Sequence, residues 1–89
     1  MREKKTFGQI LKAKRLAANL SQAAVAEHFG YSTPQFISNW ERNVSMPPVE
    51  SFKKIGHLYG ISAEELFETA LNQKISEITK DMRRKFYGR

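Results

Sequence analysis

Two side-chain amides, Gln35 and Asn39, stand four residues apart in the segment STPQFISNWERN, residues 32–43. In a helix this spacing brings both amides to the same side. A side-chain amide can pair with N6 and N7 of adenine through two hydrogen bonds in the major groove of DNA. Two amides on an exposed helical face also suit an ordinary solvated surface, and the spacing alone favours this second interpretation.

The residues around the amides predict a helix over residues 34–42. Thr33 is a better N-cap than Ser32, because Pro34 then occupies the first helical position. There the missing N–H of proline costs nothing and its fixed φ fits the helix, while the residue before proline is pushed into the extended conformation that an N-cap adopts.

The two sides of this predicted helix carry different kinds of residue. Ile37 and Trp40 face one way, and we expect both to pack in the core. A stacking platform for single-stranded bases is the alternative for Trp40, but a helical Trp three residues after an Ile more often packs. Ser38 and Arg42 share the other side with the two amides, so one face packs and the other is free to bind.

Four further helices are predicted, and no segment shows convincing strand alternation. They cover residues 7–18, 22–29, 49–59, and 63 to near the C terminus. Their start signals are a capping box of Thr6 and Gln9, the N-cap Ser21, Pro48, and a second capping box of Ser62 and Glu65. Asn19 can take the left-handed conformation that ends the first helix.

The length and composition are those of one small globular domain, with 89 residues, 40% hydrophobic and 27% charged. The absence of cysteine excludes disulfides and thiolate metal sites. No apolar run approaches the roughly 20 residues of a membrane span, and MREKK does not lead into a signal-peptide core, so we expect a cytoplasmic protein. His28 and His57 lie on different predicted helices without catalytic or metal-binding spacing, so we expect no enzyme activity, no metal and no cofactor.

The charge of the chain is concentrated at its two ends. The net charge is +6; residues 1–15 hold six Lys or Arg against one Glu, and residues 71–89 hold six against two acids. The segment between them, residues 16–70, holds three basic residues against six acids. This distribution suits a polyanionic partner, but a solvated surface explains it equally well without a supporting motif.

The fifth helix is longer than a domain of this size needs to close its core. Some 24 helical residues would span about 36 Å. An apolar stripe on its distal part consists of Ile75, Ile78, Met82 and Phe86. This stripe predicts pairing with a second copy of the chain. Two alternatives remain: the helix folds back on its own domain, or the basic tail at Arg83, Arg84 and Lys85 contacts DNA.

Residues 11–67 resemble the phage-repressor and Cro-like, or Xre-type, helix-turn-helix family, which occurs in bacteria and phages. The matching text is LKAKRLAANLSQAAVAEHFGYS, then ISNWERN, a proline after a short loop, and SFKKIGHLYGISAEELF. The resemblance implies an all-α fold, a compact five-helix lambda-repressor-like helix-turn-helix domain, here with an extended C-terminal helix. It also implies that the helix over residues 34–42 enters the major groove.

The register of the family assigns roles to individual residues. It implies a structural ion pair between Arg15 and Glu41; an outward, phosphate-binding Arg15 is the alternative. The residues that it places at DNA are Gln22, Thr33, Gln35, Ser38, Asn39, Arg42 and Asn43. Among these, Gln35 and Asn39 are expected to read bases, Gln22 either contacts the DNA backbone or only caps its helix, and Thr33 either touches a phosphate or only caps.

The sequence departs from the family pattern at two points. Four residues instead of three separate Ser32 from Ile37, so the additional residue lies in the segment 31–34 if Ile37 and Glu41 keep their register. Asn43 replaces the usual helix-ending glycine, a mild change because Asn also tolerates the left-handed conformation.

These inferences combine into one functional hypothesis and one alternative. We expect a helix-turn-helix DNA-binding domain at 1–67 and a C-terminal helical extension at 68–89 that dimerises the chain. The expected protein is a homodimeric, sequence-specific regulator of transcription, a repressor that binds double-stranded DNA, with no membrane association and no small-molecule ligand. The alternative is a protein-interaction module on the same scaffold, without specific DNA binding. Retention of the polar Gln22, Gln35 and Asn39 counts against it.

Overall fold

The structure, a computed structural model, describes residues 5–88, and these residues form five α-helices and no β-strand. The helices are α1 (Phe7–Ala17), α2 (Gln22–His28), α3 (Gln35–Glu41), α4 (Phe52–Tyr59) and α5 (Ala63–Tyr87). A single 3₁₀ turn, Val49–Ser51, precedes α4. The predicted all-α, five-helix fold is confirmed.

The helix boundaries follow the predicted signals with small shifts. α3 is one residue shorter at each end than the predicted 34–42. α4 begins at Phe52 instead of Val49, because the residues after Pro48 first make the 3₁₀ turn, and the Val49 side chain is 60% exposed. Asn19 adopts the predicted left-handed conformation with φ 61°.

The backbone N–H groups of Thr6 and of the first three residues of α1 all donate to side chains. Thr6 Oγ1 accepts from the backbone N–H of Gln9 at 3.1 Å, and Gln9 Oε1 accepts from that of Thr6 at 2.9 Å, which is the predicted capping box. Gln73 Oε1 accepts from Phe7 N at 2.7 Å. Asn43 Oδ1 accepts from Gly8 N at 2.9 Å, and Ile10 N bonds to the Thr6 carbonyl. Gln73 of α5 and Asn43, two residues after α3, therefore both cap the N-terminus of α1.

The core is formed by the inward sides of all five helices. Trp40 is 3% exposed and packs there, as expected. The fully buried side chains are Phe7, Leu11, Val25, Ile37, Ile55 and Leu66. Burial of this apolar side of α3 leaves the opposite side of the helix at the surface.

α5 packs on the other helices only along its first half. Leu66 and Ala70 are buried, and Gln73 caps α1, so the packed part continues six residues beyond the expected boundary at Phe67. From Ile75 to Phe86 the apolar side chains are 53–81% exposed. The helix is continuous to Tyr87 and gives the protein extents of 44 × 29 × 25 Å. The alternative in which the distal helix folds back on its own domain is therefore wrong.

Gly8 lies where α1 crosses the end of α3, and we expect Gly8→Ala to destabilise the fold. A Cβ atom at this position would stand 2.5 Å from the Glu41 carbonyl oxygen and 2.6 Å from that of Trp40. Both are backbone atoms, so the helices must separate, and we expect a loss of about 1–3 kcal/mol in the free energy of unfolding. Urea denaturation measures it. The matched control is Lys12→Ala on the exposed side of α1, which should change stability by less than about 0.5 kcal/mol; equal effects would contradict the close approach.

Tyr59 makes the free energy of unfolding depend on pH in the alkaline range. Burial, and then the nearby Glu41 carboxylate, raise the pKa of Tyr59 to about 12, whereas an unfolded tyrosine ionises near pH 10. The unfolded state loses this proton first, so stabilisation that is complete below about pH 10 is lost as the pH rises towards 12. We expect a loss of about 1–2 kcal/mol over this interval. Urea denaturation from pH 9 to 12 measures it, and Tyr59→Phe should lack this component.

Candidate nucleic-acid interface

An aromatic cluster of Phe29, Tyr31, Phe36 and Trp40 holds the turn between α2 and α3. The rings of Phe29 and Tyr31 stack at 5.7 Å, Trp40 meets Phe29 edge-on at 5.6 Å, and Phe36 lies 4.8 Å from Tyr31. Gly30 ends α2 with φ 74°, a conformation that glycine adopts without strain. These contacts fix the angle at which α3 leaves the turn.

The additional residue of this sequence is accommodated before α3. Ile37 is fully buried and Glu41 is paired with Arg15, as the resemblance to the family implies, and α3 begins only at Gln35. Pro34 is the N-cap, one position later than predicted, with φ −79° and ψ 8°. The Thr33 hydroxyl still accepts from the backbone N–H of Gln35 at 3.2 Å. Thr33 therefore bonds to the first residue of α3 from the position before the N-cap, and the prediction that Thr33 is itself the N-cap is wrong.

Four polar side chains form a hydrogen-bonded row along the exposed side of α3. Asn39 Oδ1 accepts from Gln35 Nε2 at 2.9 Å and from Arg42 Nη2 at 2.8 Å. Arg42 Nε also donates to Ser38 Oγ at 3.2 Å. The structure thus brings together the four residues of α3 and its C-cap that the sequence predicts at DNA. We name them the α3 polar row.

The hydrogen bonds of this row determine which groups remain available. Because both neighbours of Asn39 Oδ1 are donors, the oxygen of its amide must face them, and its NH₂ group points elsewhere. The NH₂ group of Gln35 donates to Asn39, which leaves its carbonyl oxygen Oε1 available as an acceptor. Among the described residues, Asn39 Nδ2 and Gln35 Oε1 have no hydrogen-bond partner, so α3 presents a donor and an acceptor one turn apart. An adenine edge offers the matching acceptor N7 and donor N6–H.

Arg15 and Glu41 form a buried ion pair behind this surface. Arg15 Nε contacts Glu41 Oε2 at 2.5 Å and Nη2 donates to Oε1 at 3.1 Å, with side chains only 7% and 4% exposed. Nη1 donates to the Leu20 carbonyl at 2.8 Å. The hydrogen bond to Glu41 raises the pKa of Arg15, against the effect of burial. The buried guanidinium points inwards and donates its hydrogen bonds to Glu41 and to the Leu20 carbonyl. The outward, phosphate-binding alternative for Arg15 is therefore wrong.

Gln22 connects α2 to the same carboxylate. Its Nε2 donates to Glu41 Oε1 at 2.9 Å, so the last residue of α3 is held from α1 and α2 together. Gln22 is the first residue of α2, after the N-cap Ser21, and its side chain is only partly buried. This position lets the Gln22 side chain brace α3 from the start of α2.

Asn43 belongs to the scaffold and not to the α3 polar row. Its φ of 61° ends α3 in the predicted left-handed conformation. Its Oδ1 accepts from Gly8 N and, at 3.2 Å, from Gln73 Nε2, while its Nδ2 donates to Thr6 Oγ1 at 2.9 Å. Because both ends of the amide are used inside the protein, the side chain of Asn43 has a structural role, and its expected contact with DNA stays a prediction. The partners Thr6 and Gln73 come from distant parts of the sequence, and no sequence signal pointed to them.

Residues 5–88 contain neither a membrane-spanning helix nor a group of side chains suited to a metal ion. None of the helices is long and apolar enough to cross a membrane. In the same part of the chain, no group of three or more His, Cys, Asp or Glu side chains is arranged to hold a metal ion.

The comparison with protein families gives one match. The helix-turn-helix family model HTH_3 matches residues 11–66, well over half of the chain. The matched segment runs from α1 into the first turn of α5 and includes the whole α3 polar row, together with Arg15, Gln22 and Glu41. No curated protein and no solved structure matches the chain.

Proposed function

Since the chain belongs to this helix-turn-helix family of DNA-binding regulators, we propose that it binds double-stranded DNA sequence-specifically by inserting α3 into the major groove. The observation that carries the proposal is the α3 polar row: three hydrogen bonds align four exposed or partly exposed side chains on a helix whose other side is anchored in the core. A helix prepared in this way loses little side-chain freedom on binding, which favours affinity.

The residues of the interface divide by the chemistry that they offer. Gln35 and Asn39 contact base edges with their free acceptor and donor. Ser38 and Arg42 bind phosphates or base edges, and the charge of Arg42 acts on any sequence. Gln22 binds a phosphate through the remaining N–H of its amide and the positive end of α2, because Glu41 holds only part of its amide. Thr33 lies beside the start of α3, where its hydroxyl reaches a phosphate in addition to accepting from the backbone N–H of Gln35.

The biological role that we propose is a cytoplasmic repressor of transcription that acts as a homodimer without a cofactor. A compact domain with no sensing domain of its own among the described residues can block transcription by occupying its site. We place the DNA-binding domain at residues up to Gln73, and the dimerisation element in the rest of α5, where Ile75, Ile78, Met82 and Phe86 are exposed. Two domains then contact two half-sites about 34 Å apart, one turn of DNA.

Salt dependence of binding to mixed-sequence duplex DNA tests this proposal against the protein-interaction alternative. Neutralisation of phosphates releases counterions, so a dimer that contacts about six phosphates should lose about 10³-fold in affinity between 50 and 200 mM salt. Fluorescence anisotropy measures the dissociation constant at each concentration. Weak binding that does not change with salt would refute DNA binding. The protein-interaction alternative would then be tested by a pull-down that uses the exposed apolar side chains of α5 as the binding surface.

A further inference from the structure

A continuous apolar stripe follows α5 from its packed part to its end. Its members are Phe67, Leu71, Ile75, Ile78, Met82 and Phe86, with exposed fractions between 40% and 81%. At 3.6 residues per turn, the centre of this stripe lies roughly 130° around the helix from the buried Leu66 and Ala70. α5 therefore has two apolar sides, one that packs on its own domain and one that is partly exposed near the domain and largely exposed from Ile75 onwards.

We infer that this stripe pairs with the same stripe of a second copy in an antiparallel register, with Ile75 opposite the partner's Ile78. The inference rests on the homodimer proposed above and adds the direction and alignment of its two helices. In this register each residue faces the one for which the two residue numbers add up to 153. Such an interface is two-fold symmetric, so every contact occurs twice.

The spacing of the stripe supports this register. Successive members are separated by 4, 4, 3, 4 and 4 residues, a series that is the same in both directions. An antiparallel partner read in the opposite direction therefore presents apolar side chains at matching heights. Leu71 faces the partner's Met82, and Ile75 faces the partner's Ile78, which makes four buried layers. The overlap from Phe67 to Phe86 is about 28 Å long.

The charged residues next to the stripe distinguish antiparallel from parallel pairing. In the antiparallel register Glu68 faces the partner's Lys85 in the layer outside Leu71, an attraction that occurs twice. A parallel pair would instead place Glu68 opposite the partner's Glu68 and Lys85 opposite the partner's Lys85, two repulsive layers. Opposite charges thus meet only when the two helices run in opposite directions.

A second pair of charges agrees with this choice. Lys74 and Asp81 lie on the same flank of the stripe, and two antiparallel helices bring equal flanks together. Lys74 then lies within about two residues of the position opposite the partner's Asp81, a distance of about 3 Å along the axis. In a parallel pair opposite flanks meet, so Lys74 and the partner's Asp81 would lie on opposite sides of the interface. In one chain Asp81 already contacts Arg84 at 2.8 Å and Lys85 at 3.1 Å, so the partner's lysine joins an existing cluster.

The register also separates the two domains by a distance close to one turn of DNA. Leu66 anchors α5 in each domain, and the two copies of Leu66 lie 21 residues apart along the paired helices. This separation is about 31 Å, comparable with the 34 Å of one DNA turn.

Site-specific cross-linking tests the register directly, because the chain contains no cysteine of its own. We would prepare full-length Leu71→Cys and Met82→Cys, both at partly or largely exposed positions, and oxidise each alone and as a mixture. We expect a covalent dimer in the mixture and none in the separate samples, where equal cysteines are about 16 Å apart along the axis. Dimers in the separate samples would overturn the antiparallel register. A protein that sediments as a dimer but forms no cross-link would overturn it as well.

A charge-reversal series provides an independent measurement. Glu68→Lys replaces two attractions by two repulsions in the antiparallel dimer, and we expect dimerisation to weaken about tenfold in analytical ultracentrifugation. Mixing this variant with Lys85→Glu should restore association. The matched control is Glu77→Lys, the same change off the stripe, which should leave the dimer unchanged. An unchanged dimer for Glu68→Lys would contradict the register, because parallel pairing only exchanges one repulsion for another.

The two proposals fail in distinguishable ways. A monomer at every concentration, with salt-dependent DNA binding retained, would overturn the pairing and leave DNA recognition intact. A cross-linked antiparallel dimer without salt-dependent DNA binding would support the pairing and refute the proposed function.

Discussion

Glu41→Ala is expected to lower the free energy of unfolding by about 3–5 kcal/mol, because it leaves the buried Arg15 guanidinium without its counter-charge. The Glu41 carboxylate accepts three hydrogen bonds, two from Arg15 and one from Gln22, and its side chain is only 4% exposed. A loss of this size is a large part of the 5–15 kcal/mol typical of small domains. Urea denaturation followed by circular dichroism measures it.

A double replacement separates the loss of attraction from the cost of an isolated buried charge. The double variant Arg15→Met, Glu41→Leu leaves no buried charge unpaired. We therefore expect this double variant to be clearly more stable than the single variant Glu41→Ala. The exposed Arg83→Ala is the control for removal of an arginine and should change stability by less than about 0.5 kcal/mol. A loss below about 1 kcal/mol for Glu41→Ala would mean that the ion pair behaves as a solvated surface pair.

Local signals in the sequence were sufficient to predict the elements of the fold. The capping box of Thr6 and Gln9, the N-cap Ser21 and the left-handed Asn19 mark helix ends with contacts between neighbouring residues, and all are confirmed. The shift at Val49 has the same local origin. Its place in the apolar pattern suggested a helix, but the chain after Pro48 makes a 3₁₀ turn first and α4 begins three residues later.

Contacts between distant residues could not be predicted from these signals. Thr6, Asn43 and Gln73 meet at the start of α1 although 37 and 30 residues separate them along the chain. Helical periodicity says which side of α5 is polar, but not that Gln73 points at the N–H of Phe7. Gly8 is a similar case, since only the crossing of α1 and α3 explains why a side chain is excluded there.

The candidate site shows the same division between local pattern and fold. Helical spacing placed Gln35, Ser38, Asn39 and Arg42 on one side of α3, which the structure bears out as geometry. The hydrogen bonds that orient the Asn39 amide could not be read from spacing, because several rotamers satisfy the same pattern. The role of the α3 polar row at DNA stays a proposal, which substitution of Asn39 and Arg42 can test.

Polar anchors at the end of α3 hold this short helix in place. Seven residues form a marginal helix in isolation. Here Glu41 is tied to α1 and α2, and Asn43, two residues later, is tied to α1 and α5. The α3 polar row is thus held through the far end of its helix.

Asn39→Ala is expected to cost about 1–3 kcal/mol in binding to the preferred DNA sequence and to relax specificity at one base pair. In the proposed complex the amide of Asn39 supplies a donor to a base edge; in the protein its oxygen is also the acceptor that aligns Gln35 and Arg42. Asn39→Asp keeps that acceptor and removes the donor, so comparison of the two variants separates base reading from alignment. A duplex selected from a random pool provides the preferred sequence, and anisotropy measures binding to it and to a scrambled duplex.

Arg42→Ala is the matched comparison, because it removes a charge from the same α3 polar row. We expect it to weaken binding to preferred and scrambled duplexes by similar factors and to lower the salt slope by about one ion. Both variants change exposed or partly exposed side chains, so their free energies of unfolding should stay within about 0.5 kcal/mol of the parent. Equal losses on both duplexes for Asn39→Ala would contradict its role in base reading, since a contact that specifies sequence must distinguish the two.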